Sequence, residues 1–144
     1  MMKVLQLGKF YPIKGGVEKV MEIFTEGLAE RGFPSDMLCV SRNGNTENVI
    51  LSEHARVLRT QKLAEIAATM ISPQLIWRLR CIRRKYDIIH VHHPDPMAAV
   101  ALFFSGYKGK VVLHWHSDIL KQKFLLRFFK PLQSWLIRRA DLIL

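Results

Sequence analysis

The chain alternates short apolar runs with amphipathic stretches, and the two periods predict different elements. Val4-Leu5-Gln6-Leu7 is a compact, mostly apolar run stopped by Gly8 and Pro12, which predicts a buried strand of a parallel sheet. After Gly15-Gly16, the residues Val17, Val20, Met21, Phe24, Leu28 and Ala29 recur at spacings of three and four. Glu18, Lys19, Glu22 and Glu26 lie opposite, so a helix follows, and Gly32 supplies its C-terminal cap. Ser35 to Val40 reads as a second strand, and Ser41 to Asn48 as a polar loop at its carboxyl end. Val49-Ile50-Leu51 and Val57-Leu58 read as short strands, Gln61 to Met70 as a helix, and Ser72-Pro73 as the start of another running to Lys85. Asp87 to His92 is a strand ended by Pro94-Asp95-Pro96, Met97 to Phe104 a short apolar helix, and Lys110 to His116 the next strand. Phe124 to Arg139 reads as a basic amphipathic helix interrupted near Pro131, and a last strand begins at Ala140.

Strands alternating with helices call for an α/β fold: a Rossmann-like, doubly wound, mainly parallel sheet with right-handed crossovers. Ligands of such sheets gather at the carboxyl ends of strands, beside the point where the strand order reverses. Gly15-Gly16, His92-His93 and His116-Ser117-Asp118 all fall at strand ends. A glycine pair opening a helix leaves the free N–H groups accessible to an anion, whereas a side chain there would hold a phosphate away. The pair matches neither G-x-G-x-x-G nor G-x-x-x-x-G-K-[ST], so dinucleotide and Walker-type binding are not expected.

Composition narrows the class. A chain of 144 residues, 49% of them hydrophobic and without repeats or low-complexity runs, makes one domain with a substantial core. Met-Met-Lys leads directly into the first strand, which leaves no room for a signal peptide, and no apolar run approaches the roughly 20 residues of a spanning helix. Cys39 and Cys81 lie far apart in apolar settings and read as reduced thiols, so a cytoplasmic location is expected. The formal charge of +10, from 22 basic and 12 acidic residues, is concentrated. Glu65 is the sole acid between Arg56 and Lys85, and there is none between Ile119 and Arg139. Stretches this basic fit nucleic acid, acidic small molecules or an anionic membrane surface. The aromatics fall on buried periods and no finger, helix-turn-helix or RRM signature is present, which argues against nucleic acid.

Five of the six histidines lie in His90-Val91-His92-His93 and His114-Trp115-His116. Period-two alternation puts His90 with His92, and His114 with His116, on one face. Asp95 or Asp118 could complete a metal set, but neither cluster reproduces a metal motif, so hydrogen-bonding or core roles are expected and no metal. His116, closing a buried strand before Ser117-Asp118, is the candidate catalytic residue. An imidazole there can donate to a hydroxyl or phosphate, or move a proton near neutral pH.

Five motifs then occur together in order: Phe10-Tyr11-Pro12 with Gly15-Gly16-Val17-Glu18, the Leu28-Ala29-x-Arg31-Gly32 helix ending, Asp87 to His92, His116-Ser117-Asp118, and Arg139-Ala140-Asp141-Leu142-Ile143. Their order and spacing resemble the N-terminal, acceptor-side domain of a retaining GT-B glycosyltransferase of family 4, along the whole of residues 1–144. The resemblance implies transfer of a sugar from a nucleotide-sugar to a lipid-linked or saccharide acceptor in cell-envelope polysaccharide or glycolipid synthesis. It implies that Gly15 and Gly16 approach the donor pyrophosphate and that His116 meets the transferring sugar. Tyr11, Lys14, His92, His93 and Asp118 would line the acceptor side of the cleft, with no metal or other cofactor. The family's C-terminal donor-binding domain, with its basic pair and E-x₇-E motif, has no counterpart in these residues, so the piece alone is expected to be inactive. Peripheral attachment to the inner membrane face would account for the basic stretches. The competing reading is a non-catalytic acceptor- or anion-binding module or subunit that pairs with a separate donor-binding partner.

Overall fold

The computed structural model describes residues 1–9, 11–12, 15–117 and 123–144. Strand β1 (Val4–Leu7) is buried throughout and is followed by helix α1 (Gly16–Glu30) and β2 (Ser35–Ser41). A loop leads to β3 (Val49–Ser52) and β4 (Ala55–Gln61), and then to a small hairpin of β5 (Ala64–Ile66) and β6 (Thr69–Ile71). Helix α2 (Pro73–Ile82) precedes β7 (Ile88–His93), α3 (Pro96–Ser105), β8 (Lys110–Trp115), α4 (Lys123–Arg139) and β9 (Leu142–Ile143).

The main sheet runs β3-β4-β2-β1-β7-β8-β9, parallel except for β3, which pairs antiparallel with β4. From β1 the chain builds outward through β2 and β4, then returns to the other side of β1 with β7, β8 and β9. The order therefore reverses between β1 and β7, the Rossmann-like arrangement the strand–helix alternation predicts. Alternation divides the faces. Leu5, Leu7, Ile89, Val91, Val111 and Leu113 pack with α2, α3 and α4 in the large core, whereas Met37, Cys39 and Val57 meet Met21 of α1 on the other side.

Two elements depart from the sequence reading. Gln61 to Met70 is not a helix but the end of β4 and the β5–β6 hairpin, whose turn holds Ala67 and Ala68 at φ 49 and 62. Tertiary context overrides the helical bias of its alanines: Met70 is buried in the core, and Leu63 N–H donates to Ile71 O at 2.8 Å. Helix α4 is continuous through Pro131. The proline removes one backbone donor, but Phe129, Leu132, Trp135 and Leu136 still lie against the large core, so the apolar face holds the helix together.

The amino edge of the sheet is laced by polar bonds. Asp36 accepts from the Arg56 guanidinium at 2.8 and 3.1 Å and from the Tyr86 hydroxyl at 2.6 Å. The Tyr107 hydroxyl donates to Tyr86 O at 3.1 Å, and Arg139 donates to Tyr107 O at 3.3 Å and Gly109 O at 2.7 Å. Asp141 accepts from Lys110 Nζ and Val111 N–H, each at 2.9 Å, and Asp87 accepts from Lys3 N–H at 2.8 Å. This girdle reaches from β4 to β9. Below it opens a groove of about 970 Å³ lined among others by Arg83, Arg84, Phe103, Lys108 and Trp135.

Candidate functional site

At the opposite, carboxyl edge, α1 begins at the point of strand reversal. Gly15 is its N-cap, in extended conformation at φ −131 and ψ 178 and with no side chain to satisfy the first N–H groups. The cap residue therefore supplies those donors no acceptor, and the buried Glu18 carboxylate of the first turn lies back toward Gly15. A β-carbon on Gly15 would lie 2.6 Å from Glu18 Oε2, whereas one on Gly16 would meet no described atom within 4 Å. Gly8 permits the close packing of α1 over β1, since a β-carbon there would lie 2.9 Å from Met21 Sδ and 3.2 Å from His92 Cβ. Asp95 caps α3 by accepting from Met97 N–H at 3.1 Å and Ala98 N–H at 3.4 Å. Burial raises its carboxyl pKa; Lys9 and the two cap bonds oppose that rise, and Glu18 adds to it, so charges from three elements meet here.

The histidines of β7 and β8 form a column on the α1 face. Register pairs His92 with His114, and the four rings of His90, His92, His114 and His116 are spaced 4.0–5.4 Å between neighbouring centroids. Phe24 of α1 sets its ring edge against His90 at 5.0 Å and His114 at 5.7 Å. A hydrogen-bonded chain runs through the column: Gln6 Oε1 is 2.8 Å from His92 Nε2, and His92 Nδ1 is 2.9 Å from His116 Nε2. An amide oxygen can only accept, so His92 Nε2–H donates to Gln6, and His92 Nδ1 accepts from His116 Nε2–H. Gln6 thereby sets the tautomer of His116 and leaves a lone pair on its Nδ1.

Burial, with mutual repulsion among the rings, lowers the pKa of His90 to about 4 and that of His92 further. His114 and His116 are shifted down chiefly by burial as well, so the whole column is neutral at pH 7. His116 is half-buried, at the carboxyl end of β8, and its backbone N–H donates to His93 O at 3.0 Å. It can accept a proton or bind a hydroxyl without first losing a charge.

The sequence candidates separate. Gly15, Gly16, His92 and His116 belong to the carboxyl edge on the α1 side. Tyr11 lies on the β2 side of β1: its backbone N–H donates to Val40 O at 3.3 Å, and the Arg59 guanidinium sits 5.7 Å over its ring. His93 turns to the other face, 1% exposed, stacked on Trp115 at 4.1 Å and near Gln133 of α4. Strand periodicity separates it from His92, so the two do not share a cleft wall. Lys14 and Asp118 lie outside the described residues. Gln6 was missed; its signal was a polar side chain inside an otherwise apolar strand, which requires a partner.

Comparison with known proteins places this geometry. The sequence profile described as Glycosyltransferase Family 4 matches residues 14–144. An O-antigen chain mannosyltransferase C of Escherichia coli is 35% identical over 99% of this chain and 38% of its own. The D-rhamnosyltransferase WbpZ of Pseudomonas aeruginosa is 28% identical over the same shares. This chain thus spans about two fifths of the length of both curated relatives. Among solved structures, sucrose-phosphate synthase of Thermosynechococcus elongatus superposes with a TM-score of 0.66 at 16% identity, over 99% of this chain and 42% of that one.

Proposed function

The chain belongs to glycosyltransferase family 4, as the N-terminal, Rossmann-like half of a GT-B fold, and on that premise we propose that it is the acceptor-side domain of a retaining enzyme. The reaction passes a sugar from a nucleotide-sugar to a lipid-linked or saccharide acceptor during cell-envelope polysaccharide synthesis, the setting suggested by its mannosyl- and rhamnosyltransferase relatives. The observation that carries the site assignment is the neutral His116, half-exposed at a strand end and bonded through His92 to Gln6. A tautomer fixed in this way aims a hydrogen bond at a sugar hydroxyl without the cost of deprotonation.

Across β7 the uncapped start of α1 supports a role for Gly15 and Gly16 at the donor pyrophosphate. At Gly16 the backbone is not left-handed and a β-carbon would meet no described atom, so the fold does not itself require glycine there. The donor's nucleotide would be held by a second domain, in keeping with the share of the relatives that this chain spans. No helix among the described residues is long and apolar enough to cross a membrane. Attachment to an anionic membrane surface would instead use exposed aromatics beside cations, such as Trp77 and Phe104 near Arg80 and Arg84.

The complete protein, given nucleoside diphosphate sugars and a lipid-linked saccharide, should release nucleoside diphosphate in an acceptor-dependent manner. His116→Ala should lower kcat by roughly 10²–10⁴-fold while shifting the melting temperature by only about 2–4 °C, the equivalent of one lost hydrogen bond. Acceptor-independent release, or unchanged turnover in the variant, would overturn the assignment.

A further inference from the structure

Two H-x-H pairs on neighbouring parallel strands put four imidazoles on one sheet face, and three of them meet. One ring nitrogen each from His90, His92 and His114 lies within 4.8 Å of the other two. Ligand nitrogens around a tetrahedral zinc, bound at about 2.0–2.1 Å, stand roughly 3.3 Å apart. Rotation of the rings by about an ångström at their nitrogens therefore closes the set. No backbone movement is needed, because the strand register already pairs His92 with His114.

The second observation concerns atoms without partners. His90 is 5% exposed, yet its Nε2 is buried and makes no hydrogen bond; His114 Nδ1 is likewise buried and unbonded. Folds rarely leave buried polar atoms unmatched, and unmatched ones mark a missing ligand, ion or water. Two such atoms beside the same imidazole point to one shared partner. His92 is prepared for it: Gln6 Oε1 takes its Nε2–H, so its lone pair is on Nδ1, the atom that accepts from His116 while no ion is bound. Holding the far N–H of a ligating histidine is the usual task of an outer-shell acceptor, and Gln6 is 0% exposed and fixed in β1.

We propose that His90, His92 and His114 form a binding site for a late first-row transition-metal dication of the zinc type. The donor set selects the ion. Three imidazoles with no carboxylate among them suit zinc, copper or nickel, whereas magnesium and calcium require oxygen ligands. Phe24 lies edge-on to His90 and His114 and shields the site from water on the α1 side, which strengthens each metal–nitrogen bond. The route in is from the carboxyl edge, past half-buried His114 and His116. On binding, the ion takes the His92 Nδ1 lone pair in place of the His116 Nε2–H that it accepts at 2.9 Å, His116 keeps its proton, and a water entering from the carboxyl edge fills the fourth position.

The test uses tag-free protein stripped with a chelator and titrated with Co²⁺ alone, followed by visible absorption, and with Zn²⁺ alone by calorimetry. One ion should bind per chain with the intense spectrum of a four-coordinate site, and Zn²⁺ should displace it. His90→Gln and His114→Gln should each weaken binding at least tenfold, whereas His54→Gln, on the turn before β4, should bind as the parent does. Should either variant fail to fold, ring-nitrogen NMR of the parent decides: Zn²⁺ should move the His90 and His114 resonances. Absence of binding, a six-coordinate cobalt spectrum, unchanged affinity in both variants, or unmoved ring resonances would overturn the proposal and assign the space to a buried water.

Discussion

The bond between Gln6 and His92 can be weighed by removing its ends singly and together. Both side chains are 0% exposed and meet at 2.8 Å. In His92→Leu the replacement is apolar and of similar size, but the amide of Gln6 is left without a partner at its oxygen. Its Nε2 already lacks one, so the whole amide becomes an unpaired buried dipole. Stranding such a group costs about 2 kcal/mol, within a usual range of roughly 1–3. Gln6→Leu strands the His92 Nε2–H and costs a similar amount. The double variant Gln6→Leu/His92→Leu removes both polar ends, and paired removal is nearly neutral. The two single costs therefore sum to about 4 kcal/mol against roughly 0–1 for the pair, a coupling near −3 kcal/mol. Urea denaturation with chelator present reads this directly. For a slope of about 2 kcal/mol/M, each single change lowers the midpoint by roughly 1 M and the double change returns it close to the parent. Coupling smaller than about 0.5 kcal/mol would mean that the two residues act independently and that Gln6 does not set the histidine tautomers.

Gly16→Val should fold with the parent's far-UV spectrum while the complete enzyme loses nucleotide-sugar turnover; retained turnover would remove the helix mouth from the reaction. Burial pushes the Cys39 thiol up to about 12, against only partial relief from Arg59, whereas Cys81 is exposed. A pKa raised this far leaves almost no Cys39 thiolate at pH 8, so an aromatic disulfide reagent should titrate one thiol quickly in the native protein and a second only in denaturant. Vesicles containing anionic lipid should retain the protein at low salt and release it at high salt, and equal retention on neutral vesicles would refute the membrane account.

The architecture was legible where burial dictates the pattern. Apolar runs located β1, β2, β7 and β8, and spacings of three and four located α1 and α4. The hairpin at Ala64–Ile71 escaped because local composition favoured helix, whereas the deciding contacts, such as buried Met70, come from the core. Strand-end chemistry pointed to His116, and alternation correctly grouped His90 with His92 and His114 with His116. It also holds the reason His93 differs, since adjacent strand residues face opposite ways. The partner that orders the column, Gln6, sits 86 residues from His92, and no local pattern encodes a contact of that span.

The bonds that tie Asp36, Tyr86, Tyr107, Arg139 and Asp141 all lie at the amino edge, away from the glycine turn and the histidine column. One rim of the sheet therefore carries the cross-bracing, and the other carries the proposed site. Genetic drift meets these rims differently. A change at Tyr86 or Arg139 is judged by whether the protein persists at all, whereas a change in the loops after β1, β7 or β8 falls on the proposed site. Related chains can thus alter the strand-end loops, and with them the molecules they accept, while the braced rim keeps each altered copy folded long enough to be selected.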